Sequence, residues 1–326
     1  TRKLAQGTAD AAEVNSQLTL EDASGAVLYY FQEMPNGIYI VPGMNLDLNN
    51  KYKLHIATTD GKQYLSDDIE VKQTPPIDSV NWQRQDNGVM IYVNTHDSQD
   101  KTKYYRWDYI NTWEYHSHYF SSFKYDAPNN SVLLRGPDDN IFQCWTTKNS
   151  TDLLLGSSAK LSHDVISMNP IRFIATNSIE LSVKYSILVR QYALTKEGYD
   201  YFQNLKKITE QLGSIFDAQP SQVTGNIHVV GNPDEPVLGF VTASTVEEKR
   251  IFIDKLEVLP WFYQVFCDPQ IIIPLDSLKE YFGNGLYIPV SQYSPAGAVV
   301  GYYSGTSECV DCRIGAGVNV KPSFWP

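Results

Sequence analysis

A chain of 326 residues is long enough for two ordinary cores, and its balance of 42% hydrophobic and 19% charged residues with 22 tyrosines is that of a folded, β-rich, extracytoplasmic protein. The net charge of -11, with Lys and Arg never in runs longer than a pair, excludes a nucleic-acid surface and makes anionic headgroups poor partners. The longest apolar runs, such as Gln270 to Leu275, fall far short of the roughly 20 residues that a membrane-spanning helix needs.

The chain opens at Thr1 in what reads as a strand end and a loop, so any targeting segment is expected ahead of it. QLTLED, AVLYYFQE, GIYIV, KYKLHIAT and KQYLSDDIEV then alternate apolar and polar residues at period two. A turn at Pro35 to Gly37 and the Asp60-Gly61 pair, which favours the positive φ angles of a tight hairpin, punctuate them. Residues 1–74 read as an immunoglobulin-like β-sandwich, incomplete at its start. Pro75 and Pro76 force an extended connector and set the boundary.

Residues 75–326 read as a larger β-sandwich domain of the immunoglobulin or fibronectin kind, with strands IDSVNWQ, GVMIYVNT, KYYRWDYI, NIFQCWTT, IRFIAT and KYSILVRQYALT. A helix over about 196–212 interrupts them: Thr195 caps it, Tyr199, Phe202, Leu205, Ile208 and Leu212 form its apolar stripe toward the sandwich, and Gly213 ends it. NIHVV and PVLGFVTAST suggest a hairpin, followed by KRIFIDKL and a short helix around Leu275 to Phe282. The tail SECVDCRIGAGVNVKPSFWP is irregular yet rich in Cys and aromatics, so something must pin it.

The stretch YYRWDYINTWEYHSHYF, Tyr104 to Phe120, carries the densest aromatics. Tyr105, Trp107 and Tyr109 fall on one strand face, opposite Tyr104, Arg106 and Asp108, as in a half-buried core strand. The second half loses that period. Trp113, Tyr115, Tyr119 and Phe120, with His116 and His118, are the candidates for ligand or partner contact, because exposed aromatic faces offer contact area at little entropic cost. His116 and His118 share a face but have no third ligand in view, so no metal is expected.

Asp97 with Asp100, and Asp138 with Asp139, lie in ordinary acidic turns that do not match a calcium loop. Cys309 and Cys312 have the spacing of half a zinc site, but Cys144 and Cys267 stand isolated, which leaves disulfides as the better reading. No hydrolase, nucleotide-binding or metalloprotease motif appears, no cofactor is called for, and no catalytic residue can be named.

The ordered blocks YKLHIATTDGKQYLSD, TPPIDSV, KTKYYRWDY, KYSILVRQYALTKEGYDYF, LGSIFDAQPSQVTGNIH, KRIFI and CVDCRIGAGVNVKPSFW cover nearly the whole chain. They resemble a family of Bacteroidota outer-membrane lipoproteins defined by a domain of unknown function. The resemblance implies an immunoglobulin-like or carboxypeptidase-regulatory-like N-terminal β-domain and a lipid anchor ahead of Thr1. It also implies genes beside TonB-dependent transporters of the SusC type. The expected role is a non-enzymatic accessory lipoprotein on the cell surface that docks on such a transporter with its lid lipoprotein. A structural subunit of a secretion or assembly complex, or a surface hydrolase, are the alternatives. In that setting Cys267 is expected to bond one of Cys309 and Cys312 and staple the tail.

Overall fold

The computed structural model describes residues 12–211, 225–232, 234–261, 263, 266–315 and 317–326. The chain is mainly β, and its largest core lies between two antiparallel sheets. One sheet runs in the order Gln143–Asn149, Tyr104–His116, Lys184–Ala193, Val246–Asp254, with Leu154–Ser157 also paired to Tyr104–His116. The other is Val165–Ala175, Gly88–His96 and Ile77–Gln85.

Strand alternation explains the core. Val89, Ile91 and Val93 from one sheet meet Tyr105, Trp107, Tyr109, Ile187 and Val189 from the other, all fully or nearly fully buried. Burying the indole N–H requires an acceptor, and the register supplies it: Trp107 lies opposite Gln191, whose Oε1 accepts from Trp107 Nε1 at 2.8 Å. The Gln191 amide then donates to Pro75 O at 2.8 Å and Thr95 Oγ1 at 2.9 Å, tying the proline connector and the second sheet to the first.

Gly156 sits directly beneath this indole. A Cβ there would lie 2.6 and 2.7 Å from two ring atoms of Trp107, closer than van der Waals contact allows. Gly156→Ala is therefore expected to lower stability by about 1–3 kcal/mol through overpacking. Thermal unfolding checks this, and an unchanged midpoint would mean that the ring moves aside freely.

The N-terminal sheet holds seven strands, in the order Ile227–Val229, Gln63–Ser66, Lys51–Ala57, Gln17–Asp22, Val27–Tyr30, with Ile69–Lys72 and Ala243–Ser244 to one side. A separate hairpin pairs Gln32–Met34 with Ile38–Ile40. The expected hairpin of NIHVV with PVLGFVTAST does not form. Ile227–Val229 pairs antiparallel with Gln63–Ser66, and Ala243–Ser244 pairs parallel with Ile69–Lys72. Both segments are too short to bury a face on each other, whereas each completes hydrogen bonding along a sheet that already exists.

The helix spans Lys196–Gln211, and the expected end at Leu212 and Gly213 lies outside the described residues. Thr195 Oγ1 accepts from Gly198 N at 3.1 Å, as an N-cap should. The stripe meets the outer face of the large sheet, where Tyr199 packs on Tyr104 at 5.0 Å and the Arg106 guanidinium lies 5.6 Å from the Phe202 ring.

A small C-terminal unit comprises the sheet Ile271–Pro274, Gly301–Thr306, Tyr287–Tyr293, the hairpin Phe123–Asp126 with Ser131–Leu134, and the helix Leu278–Phe282. Its core is Phe123, Ile273, Leu278, Phe282 and Tyr302. Two disulfides, Cys144–Cys312 and Cys267–Cys309, hold the tail. Beyond them Val318 bridges to Trp145 along the sheet edge, and the chain turns onto the outer face, where Trp325 meets Phe252 at 5.5 Å and Arg250 stacks on Phe324 at 3.7 Å.

Candidate functional site

A concave site lies where the N-terminal sheet, the end of the strand Lys184–Ala193 and the helix meet. The turn between Gln63–Ser66 and Ile69–Lys72 brings Asp67 and Asp68 and the strand after it Glu70, while the first turns of the helix bring Glu197, Asp200 and Tyr201. The segment 240–243 closes the wall with Phe240, whose ring lies 5.1 Å from that of Tyr201. The space enclosed is about 560 Å³.

Local chemistry fixes these walls. Gly198 lets the helix approach the wall, since a Cβ there would stand 3.3 Å from both Phe240 and Thr242. Asn226 acts as a side-chain strand: its Nδ2 donates to Val241 O at 2.9 Å and its Oδ1 accepts from Val241 N at 2.8 Å. Its backbone carbonyl also accepts from Asp67 N at 2.8 Å, so one residue links two walls of the cleft.

Five carboxylates line the cleft, yet most of their charge is answered at the rim. Asp67 faces His228 at 3.1 Å, Asp68 faces Lys53 at 3.6 Å and Lys51 at 3.9 Å, Glu70 faces Lys72 at 2.9 Å, and Asp200 faces Lys196 at 2.6 Å. The Lys72 ammonium bonded to Glu70 holds that carboxyl below its usual range, and the Asp200 carboxylate bonded to Lys196 raises the ammonium above its own. Glu197 is the exception, with no side-chain partner among the described residues. Burial pushes the Tyr201 phenol up, so it stays a neutral donor beside these anions.

The aromatic stretch takes a different place. Tyr105, Trp107 and Tyr109 lie in the core, at no more than 2% exposure. The expectation of ligand contact fails for Trp113 and Tyr115, which are 5% and 7% exposed. The inward face of the strand continues through them, and Tyr115 Oη donates to Cys312 O at 2.7 Å. The lost period had another cause: the outer face is covered too. Glu114 is buried there, accepting from Gln143 Nε2 at 2.6 Å and from Trp325 Nε1 at 3.0 Å.

His116 stacks on Phe142 at 4.6 Å and bonds Glu114 at 3.2 Å, while exposed His118 meets Tyr119 edge-on at 4.5 Å. Phe120 remains open to solvent and touches Phe142 at 5.3 Å. Tyr119 clasps the nearby disulfide loop: its backbone N–H donates to Cys309 O at 2.9 Å and its hydroxyl to Asp268 O at 2.9 Å. No group of three or more His, Cys, Asp or Glu among the described residues is placed to hold a metal ion.

The acidic turns serve structure. Asp97 accepts from three backbone N–H groups of its own loop. Asp100 is held below the usual carboxylate range by the Asp164 N–H and by His163. Asp139 pairs with Arg135 and Lys124 at 2.9 and 3.1 Å.

Sequence reasoning could find none of the cleft, because its carboxylates sit in two groups more than a hundred residues apart and each group looks like an ordinary solvated turn. No curated protein matches the chain. The family model described as a domain of unknown function (DUF4249) matches residues 1–250, a span that takes in every residue of the cleft and stops short of the sheet Ile271–Pro274, Gly301–Thr306, Tyr287–Tyr293, and the chain belongs to that family.

Proposed function

We propose that the protein is a non-enzymatic binding subunit of the outer-membrane surface, lipid-anchored ahead of Thr1. It docks on a TonB-dependent transporter of the SusC type with its lid lipoprotein and holds a ligand for import. The observation that carries the capture role is the cleft of about 560 Å³, a size suited to a small molecule. Its inner surface offers carboxylates, Glu197 among them with no side-chain hydrogen bond or ion pair among the described residues, beside the Tyr201 and Phe240 rings. That combination favours a ligand bearing a cationic group, which gains both charge pairing and a ring face.

The test is affinity isolation of the full-length, membrane-extracted protein in mild detergent, with stoichiometric partners identified by mass spectrometry. The expected result is a TonB-dependent barrel and its lid lipoprotein, with a small cationic molecule retained by the wild type and lost from a Glu197→Lys/Asp200→Lys variant. Recovery of a secretion or assembly machine instead would overturn the transport role. One observation favours that structural-subunit reading: Met34, Ile38 and Ile40 share one face of the N-terminal hairpin and are 41%, 55% and 39% exposed.

A further inference from the structure

An open strand edge is a template for another strand, and folded proteins blunt it with charge, proline or a covering segment. Both edges of the large sheet follow that rule. Gln143–Asn149 is covered where Val318 bridges to Trp145, and Val246–Asp254 carries Glu247, Glu248, Lys249 and Arg250. The edge of the C-terminal sheet has only a proline at its end, with no charged residue in the strand. Ile271–Pro274 consists of three isoleucines closed by a proline, and Ile271 and Ile272 are 38% and 45% exposed. Ile272 lies opposite Tyr303, whose ring meets Tyr293 edge-on at 5.4 Å, so the apolar strip runs across the sheet.

Beside the start of this edge opens a cavity of about 580 Å³. Phe266 and Leu286 wall it, the Cys267–Cys309 disulfide borders it, and Asp268 and Glu308 supply its charge with no Lys or Arg in the lining. The disulfide joins the residues next to each carboxylate, and Tyr119 bonds both segments, so the segments that carry the two acids are held together. Neither carboxylate has a hydrogen-bond or ion-pair partner among the described residues, in contrast to the cleft beside the helix, where rim lysines answer Asp68, Glu70 and Asp200.

We propose that this edge and cavity dock an extended segment of a partner protein. The segment adds as a strand along Ile271–Pro274 and places a lysine or arginine in the cavity, its aliphatic stem along Phe266 and Leu286 and its charge on Asp268 and Glu308. The inference is independent of the ligand-capture reading, since no residue of that cleft takes part.

The experiment is photo-crosslinking in native membranes of the full-length protein carrying Ile272→benzoylphenylalanine, with the same group at Val246, on a charge-protected edge, as control. Crosslinking from Ile272 is expected to give one partner peptide with a Lys or Arg within about four residues of the crosslink, since a strand advances about 3.3 Å per residue. Asp268→Asn/Glu308→Gln is expected to cut its yield roughly tenfold at an unchanged melting temperature. A yield no higher than from Val246, a peptide without a basic residue, or a peptide from a second copy of this chain would each overturn the proposal. The crosslinked peptide's sequence decides the matter even where the double variant is less stable.

Discussion

Replacing Cys144 and Cys312 together by alanine is expected to lower the unfolding free energy by about 4–5 kcal/mol. Replacing Cys267 and Cys309 should cost less, about 3–4 kcal/mol. The difference comes from the unfolded chain: the first bond closes a loop of 168 residues and the second one of 42, and the entropy that a crosslink removes grows with the logarithm of that length. Both sulfurs of the longer link are buried, and alanine adds no polar atom to the core. Native contacts argue for a visible effect as well. Cys312 N donates to Ile141 O at 2.9 Å and Cys312 O accepts from Tyr115, so the bond sits where the tail enters the sandwich. Urea unfolding of both double variants measures the order. If the Cys267–Cys309 variant were the weaker of the two, the C-terminal unit and not the sandwich would be the chief anchor of the tail.

The parts of this fold written locally were readable, and the parts made by distant neighbours were not. Tyr105, Trp107 and Tyr109 announce an inward face by alternation alone, and the helix announces itself by Thr195 and a stripe at three and four. Alternation names no partner, however. Ile227–Val229 reads as a strand, but that it completes the N-terminal sheet across 163 residues of chain follows from the register of His228 with Leu65, which no local pattern encodes. Periodicity also presumes one wet face, and Glu114 broke that presumption because Trp325, 211 residues away, covers it. The aromatic run from Trp113 to Phe120 is thus mainly interior and clasp, and only Phe120 and His118 stay open to solvent. Cys267 was assigned to the tail pair, while the choice between Cys309 and Cys312 needed three dimensions.

Trp107→Ala is the substitution expected to damage the sandwich most, at about 3–5 kcal/mol, because it empties a fully buried indole site at the centre of the main core. The side chain also carries a polar role that volume does not describe. Its N–H is the donor to Gln191 Oε1, and Gln191 in turn fastens Pro75 O and Thr95 Oγ1, so one buried amide joins the Pro75 segment to both sheets. Trp107→Phe separates the two effects. It keeps a ring in place but leaves Gln191 Oε1 without its donor, at a cost of about 1–3 kcal/mol beyond the lost volume. Pairing that variant with Gln191→Met in a double-mutant cycle measures the coupling, since the thioether needs no donor. A coupling of about 1 kcal/mol or more would show the indole N–H holding the amide in place. A coupling near zero would show that the bonds to Pro75 and Thr95 fix Gln191 alone, and that Trp107 stabilises the sandwich by volume only.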